Sequence, residues 1–297
     1  MKAYTDVSKK IFDSSGYIII TLISTACFLP FLLLISASFT DESSIIKHGF
    51  SLIPGKFSID AYQYVFRQSA FIWKAYLITI SLVVFGTAIH LLFNTMGAYA
   101  LSRRDFKYRN YVAFYLYFTT MFGGGLVPWY ILCVRYLHLK NTYFVLLQAG
   151  LVSVFNLLIM RNFIKQIPES IIESAKIDGA GEFRILLQLI VPMSVSSLVT
   201  IWLLVTLGYW NDWYMASLFI NNANLYPLQY LLYSIINNAE FLASAMGRGL
   251  QLPSTRTIPR ESVKMATAVI VTGPIIFMYP FVQKYFVKGL VIGAVKG

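Results

Sequence analysis

Glu173-Ser174-Ala175-Lys176-Ile177-Asp178-Gly179, running on through Ala180 to Leu189-Ile190-Val191-Pro192, is a polar turn wedged between two apolar segments of membrane-spanning length. About 30 residues separate the apolar run that ends near Met160 from the one that starts near Val195. A loop that merely joined two spans would need only a few, so this one reads as an element with a task of its own. Pro168 suits a first helical position, where its missing N–H costs nothing, and Glu169 in the opening turn suits the positive end of the helix dipole. Gly179 can take the left-handed conformation that stops a helix, with Asp178 just before it. Ile171, Ile172, Ala175 and Ala180 fall on one side, while Glu169, Glu173, Lys176, Glu182 and Arg184 supply charge. The expectation is a short amphipathic helix, a tight turn and a second short helix ended by Pro192.

Outside this loop the composition is that of a membrane protein. Of the 297 residues, 57% are apolar and only 12% charged, and the mean hydropathy is +0.65, beyond the usual range of soluble domains. Apolar stretches of about the length that crosses a bilayer core fall at 17–38, 73–99, 111–133, 143–160, 195–219 and 263–285. The sequence therefore predicts an all-α, polytopic membrane protein with six transmembrane helices in a single domain over 1–297. Lys2, Lys9 and Lys10, then Arg103, Arg104, Lys107 and Arg109, then Lys284, Lys288 and Lys296 share one side in this scheme, against Arg135 and Lys140 on the opposite short gap. The positive-inside rule then places both termini and the 161–193 loop in the cytoplasm. The first segment lacks a small-residue cleavage pattern and reads as an uncleaved anchor.

The spacing Glu173, Ala175, Gly179, Leu189, Val191, Pro192 resembles the EAA signature of the permease subunits of ATP-binding cassette importers, with Ser174 where that family usually has Ala. The end of the chain, 287–297, looks like the tail of the smaller maltose-type permease. The resemblance implies a type I importer permease of the carbohydrate branch in a bacterial inner membrane. It implies that Glu173, Ser174, Ala175, Asp178, Gly179 and Ala180 dock on an ATPase subunit, and that Val295, Lys296 and Gly297, in a cytoplasmic tail from 286 to 297, reach into the ATPase dimer. It also implies the partners: a second, non-identical permease, two ATPase subunits that bind ATP and Mg, and an extracytoplasmic solute-binding protein. The cargo implied is an oligosaccharide, including acidic ones such as alginate or pectin fragments, moved by alternating access.

Tyr209-Trp210-Asn211-Asp212-Trp213-Tyr214 ends the fifth segment and resembles the Trp-Asn-acid element of sugar-import permeases. Aromatics here can be an interfacial belt, but an acid and an amide between two Trp suit a sugar path, with flat faces for ring stacking and amides for hydroxyls. Trp210, Asn211, Asp212 and Trp213 are therefore candidates for the path or outer gate. Asn94 joins them, because it shares a helical face with His90 and polar groups inside a bilayer face protein or water; an interhelical hydrogen bond is the alternative role for that pair. The outer gap 220–262, with Asn221, Asn222, Asn237, Asn238, Arg248, Arg256 and Arg260, is the candidate surface for the binding protein.

No catalytic chemistry is legible. The nearest approach to a P-loop, Gly49 with Gly55-Lys56, is one residue too long and has Phe57 in place of the hydroxyl, so the chain is expected to be no enzyme and to hold no cofactor itself. Cys27, Cys133, His48, His90 and His138 have no metal-ligand spacing. The net charge of +11 fits cytoplasmic loops against anionic lipid, and no nucleic-acid partner is expected. The alternatives left open are an ion-gradient-driven secondary transporter, which should show internal repeats and functional charges within its spans, and an importer permease for a non-sugar cargo.

Overall fold

A computed structural model describes residues 2–67, 69–148, 150–247 and 260–294. Helices dominate, and the described residues contain no strand beyond an isolated bridge between Thr40 and Phe57. The chain forms two compact units, Met1–Ser69 with Ser234–Gly273, and Ala70–Tyr233 with Pro274–Gly297.

The first unit opens with a 37-residue helix, Lys2–Ser38, which continues through Pro30. Its apolar side chains are exposed all round: Tyr17 at 72%, Ile20 at 62% and Leu22 at 66%. Only its last turns are covered, with Ala37 at 1%, and an apolar helix surface left open over residues 9–32 needs lipid or a partner around it. Glu42 ties the start of helix Arg260–Ala294 to this unit. Its two carboxylate oxygens accept the Glu261 and Ser262 N–H groups, both at 3.0 Å, and the Ser262 hydroxyl at 2.9 Å. An acid placed on the positive end of a helix satisfies donors that the helix itself cannot. That helix runs unbroken for 35 residues past Gly273, Pro274 and Pro280.

The second unit holds the rest of the expected spans, and the structure redraws three of them. Phe71–Ser102 is one helix of 32 residues with a π-turn at Leu82–Gly86. The stretch 111–133 is two helices, Arg109–Met121 and Leu126–Tyr136, bent by 108° at the Gly123–Gly124–Gly125 break, and Pro128 sits in the opening turn of the second. The stretch 143–160 is also broken, into Tyr143–Gln148 and Val154–Ile164. The fifth stretch ends at Asn211 rather than running to 219, and a separate short helix Tyr214–Phe219 follows. Among the described residues, two helices are long and apolar enough to span a membrane, or up to four when each bent pair counts as one span.

Side chains hold the broken fourth stretch together. Tyr209 Oη donates to the Leu147 carbonyl at 2.7 Å. His90 Nδ1 lies 2.5 Å from the Gly150 carbonyl, and Asn94 Nδ2 lies 3.5 Å from the Leu151 carbonyl. Since a carbonyl only accepts, His90 carries its proton on Nδ1, and Nε2 is left to accept from Asn156 Nδ2 at 3.1 Å. The Tyr209 ring passes between Gly86 and Gly150, where any side chain would collide; a Cβ on Gly150 would sit 2.6 Å from Tyr209 Cζ. Around this seam Ala98, Val145, Met160, Ile190 and Phe219 are fully buried, with Phe219 between Trp129 and Tyr130 at centroid distances of 5.0 and 5.2 Å.

The clamp on Tyr209 gives a direct test of this packing. Gly150→Val should destabilise the protein by about 1–3 kcal/mol through overpacking, seen as a lower Tm of the detergent-solubilised chain. A Tm equal to that of the parent would show that the ring is free to move aside.

Candidate functional site

The loop helix is Glu169–Ile177, with Pro168 at its N-cap (φ −57°, ψ 129°), one position earlier than expected. Its C-terminus closes by a Schellman motif. Gly179, at φ 81°, donates its N–H to Lys176 O at 3.0 Å, and Ala180 N–H reaches Ala175 O at 2.9 Å. Ile172 is buried while Ala175 and Ala180 pack on the core, so one face of the turn is anchored. Glu173, Ser174, Asp178 and Gly179 are left on the open side. The following helix does not stop at Pro192. Glu182–Met193 is continuous, because a π-turn at Leu186–Ile190 already moves the Val191 N–H to the Leu186 carbonyl. The chain bends by 83° after Met193, at Ser194.

An ion-pair network binds this loop to the 103–108 turn. Tyr99 Oη donates to Glu182 at 2.5 Å, and Lys176 Nζ reaches Glu182 at 2.7 Å and Asp105 at 2.9 Å. Arg103 also holds Asp105 at 2.9 Å, and Arg104 holds Glu169 at 2.8 Å. Hydrogen bonds from Arg103 and then Lys176 pull the Asp105 carboxyl down to about 2. Glu182 and then Asp105 hold the Lys176 ammonium above its ordinary value.

At the other end of this unit a cavity of about 380 Å³ is lined by His90, Ser153, Asn156, Tyr209, Asn211 and Asp212, among others. Of the expected path residues, Asn211 and Asp212 line it. Asn94 is buried one layer away, its Nδ2 bonded to His90 O at 2.9 Å and its Oδ1 unpartnered. Trp210 is buried. Asp212 Oδ1 accepts the Met215 N–H at 3.1 Å and so caps the short helix Tyr214–Phe219. Trp213 stacks on Tyr233 at 4.3 Å and 21°, and Tyr233 continues to Tyr230 at 6.1 Å and 24°. Tyr226 meets Tyr230 edge-on at 4.7 Å. Asn141 Oδ1 accepts the N–H groups of Asn221 and Asn222 at 2.6 and 3.1 Å, which fixes the start of the outer gap. Val295, Lys296, Gly297, Arg248 and Arg256 lie outside the described residues.

A model of the family described as binding-protein-dependent transport system inner membrane component matches residues 6–292. The chain belongs to this family. The polygalacturonan/rhamnogalacturonan transport system permease protein YtcP of Bacillus subtilis (strain 168) is 36% identical over 98% of this chain and 100% of that protein. The trehalose/maltose permease MalG of Thermococcus litoralis is 29% identical over 98% and 99%. Among solved structures, a bacterial ABC transporter involved in the import of the acidic polysaccharide alginate matches with a TM-score of 0.81 at 29% identity, over 94% of this chain and 98% of that one. The all-α permease fold, the importer resemblance read from the EAA spacing and the sugar branch read from the end of the chain and from 209–214 agree with these relatives. None of them supports the ion-gradient alternative.

The permease's anchoring residues were the ones that sequence reasoning missed. Tyr99 and Asp105 lie 83 and 71 residues from their loop partners, and no local spacing announces them. Ile177 was passed over too, although it is 86% exposed at the tip of the loop; a bare Ile between Lys176 and Asp178 was the available signal. The aromatic ladder did have one, since Tyr226, Tyr230 and Tyr233 recur at helical spacing.

The network fixes the sign of a pH effect. Asp105 is depressed, so its contribution is complete above the ordinary carboxylate value and is lost as pH falls through about 2. Lys176 is raised, so its contribution holds below its ordinary value and fades only as pH climbs past that. The Asp105 carboxyl, followed by carbon NMR, should titrate near 2 and move back up toward 3.8 in Lys176→Met. An ordinary midpoint in the parent chain would mean that the network is absent in solution.

Proposed function

We propose that this chain is one of two non-identical permease subunits of an ATP-driven oligosaccharide importer, with six spans and both termini in the cytoplasm. In this reading two ATPase subunits hydrolyse ATP outside this chain. They grip the loop through Glu173, Ser174, Asp178, Gly179 and the exposed Ile177. Closure of the ATPase pair pulls the loop helix, and the ion pairs to Asp105 and Arg104, with the hydrogen bond from Tyr99, pass that displacement to the ends of two spans. The outward-open state receives sugar from a binding protein, and reopening of the ATPase pair releases it inside. A partner shifts such an equilibrium only through a difference in affinity between the two states, so the loop has to be held differently in each.

The observation that carries the reading is the loop's exposed face at a hydrogen-bonded Schellman turn, which suits a docking element better than a slack connector. The cargo side rests on two observations, the aromatic ladder of Trp213, Tyr233 and Tyr230 and the amides of Asn211 and Asn156 that line the cavity. Flat rings suit the apolar faces of sugars, and amides suit their hydroxyls. Because relatives of this chain are named for polygalacturonan and alginate, acidic oligosaccharides are the first cargo to test. Trp210 and Asn94, both buried, act in this reading as supports behind the path; the tail residues Val295, Lys296 and Gly297 remain proposed ATPase contacts.

The test is ATP hydrolysis by the reconstituted transporter, with its partner permease, ATPase subunits and binding protein. Oligogalacturonides or alginate fragments should stimulate hydrolysis. Gly179→Pro cannot adopt φ 81° and removes the N–H that bonds Lys176 O, so stimulation should vanish while the complex still assembles. Trp213→Ala should reduce cargo-dependent transport by about three- to tenfold, the worth of one aromatic stack. Full stimulation in the Gly179 variant would overturn the coupling role, and stimulation by a non-sugar solute alone would overturn the cargo class.

A further inference from the structure

Where the helix Phe71–Ser102 ends, the helix Arg109–Met121 begins and the helix Val154–Ile164 ends, the chain forms a half-open cleft of about 370 Å³ that the transport reading leaves unused. Arg103, Arg104, Arg109 and Lys165 line it, and Glu169 is the one carboxylate among its lining residues. Arg161 stands just behind, its Nε bonded to the Leu101 carbonyl at 2.9 Å. The acids within reach are already in use. Asp105 is shared between Arg103 and Lys176, and Glu169 is held by Arg104. The Arg103 side chain is only 9% exposed, yet its Nε has no partner. Arg109 gives one N–H to the Arg103 carbonyl at 3.0 Å, and neither Arg109 nor Lys165 forms an ion pair among the described residues. Burial first, and then Arg161 and Arg109, hold the Lys165 ammonium below its ordinary value. A buried guanidinium donor left without a partner, next to two further cations that form no ion pair among the described residues, offers an anion both charge and hydrogen bonds.

We infer that this cavity is a binding site for the phosphate of an anionic phospholipid head group, gripped by Arg103, Arg109 and Lys165. Guanidinium forks match the geometry of phosphate oxygens, and an ammonium adds a point charge. The source is lipid because the site lies where a lipid-clad helix begins. The helix that starts at Arg109 exposes Tyr111, Phe114, Tyr115 and Phe118, at 76%, 68%, 66% and 46%, in a stripe on the face turned away from Arg109. Rings left open in this way call for hydrocarbon around the helix, so the cavity at its first residue lies at the level of the head groups. Basic pockets between helices at the membrane surface are suited to such head groups. The site adjoins the loop through Glu169 and Pro168, so an occupied cavity would stiffen the end of the loop opposite the Schellman turn. The inference requires only that the chain is embedded in a membrane and stands apart from any particular cargo.

Native mass spectrometry of the full-length chain in detergent tests it, with phosphatidylglycerol, phosphatidylcholine and inorganic phosphate as separate probes. Phosphatidylglycerol should bind in preference to phosphatidylcholine. The double change Arg109→Gln with Lys165→Gln should weaken it about thirtyfold, at roughly 1 kcal/mol for each cation removed. Arg109→Lys with Lys165→Arg keeps both charges and should retain binding within a few-fold. Each Gln change made singly should cost about fivefold, which keeps the test open if the double variant does not fold. Equal retention of phosphatidylglycerol by the parent and the Gln variants would overturn the site. Inorganic phosphate binding as tightly as the lipid would overturn the assignment to a phospholipid in favour of a soluble anion.

Discussion

A broken helix has to hand its loose carbonyls to other donors, and in this chain three side chains from two other helices take them. Tyr209 takes Leu147, His90 takes Gly150 and Asn94 takes Leu151. A carbonyl left bare away from water costs several kcal/mol, and irregular backbone at membrane depth is tolerated where protein donors or a cavity meet it, as both do at Gly150. Because the three donors come from two different helices, the break between Gln148 and Val154 fixes how Phe71–Ser102, Val154–Ile164 and Val195–Asn211 meet. The same break leaves room for the cavity beside His90, Asn156 and Asp212. The irregular backbone that the path reading needs is therefore the feature that locks the surrounding helices together.

At the far end of the same helices the chemistry changes from hydrogen bonds to ion pairs. Arg103 is buried, but its partner Asp105 and the other members Lys176, Glu182 and Arg104 are exposed, so each pair contributes little to stability alone. Their value is geometric: they connect the loop helix to the ends of the spans at several points, so the loop moves with the spans. Its opposite face stays bare, with Ile177 in the open. A rigid, one-sided anchor with an unpartnered tip is what a coupling element requires, and a flexible linker would dissipate the motion.

The loop was legible because its signals are local. Pro168, Glu169 and Gly179 mark start and stop within a dozen residues, and the structure moves Pro168 by one position only. Apolar composition likewise disclosed the membrane class and the helical fold. What stayed hidden depends on partners distant in sequence. Nothing around residues 143–160 announced that His90 and Tyr209 would tolerate a break there, so a continuous span was the natural expectation. Pro192 looked like a terminator because the π-turn that accommodates it, Leu186–Ile190, has no composition of its own. The Trp213 stack was half visible: the motif pointed to the residue, and only the fold supplied Tyr233 as its partner.

The central claim is that the open face of the Glu169–Ile177 helix meets an ATPase subunit. A photo-reactive group placed at Ile177 in the assembled transporter tests it most directly. The account predicts a crosslink from Ile177 to the ATPase subunit whose yield changes between the nucleotide-free and ATP-bound states. Crosslinks only to lipid or to the partner permease, identical in both states, would contradict it.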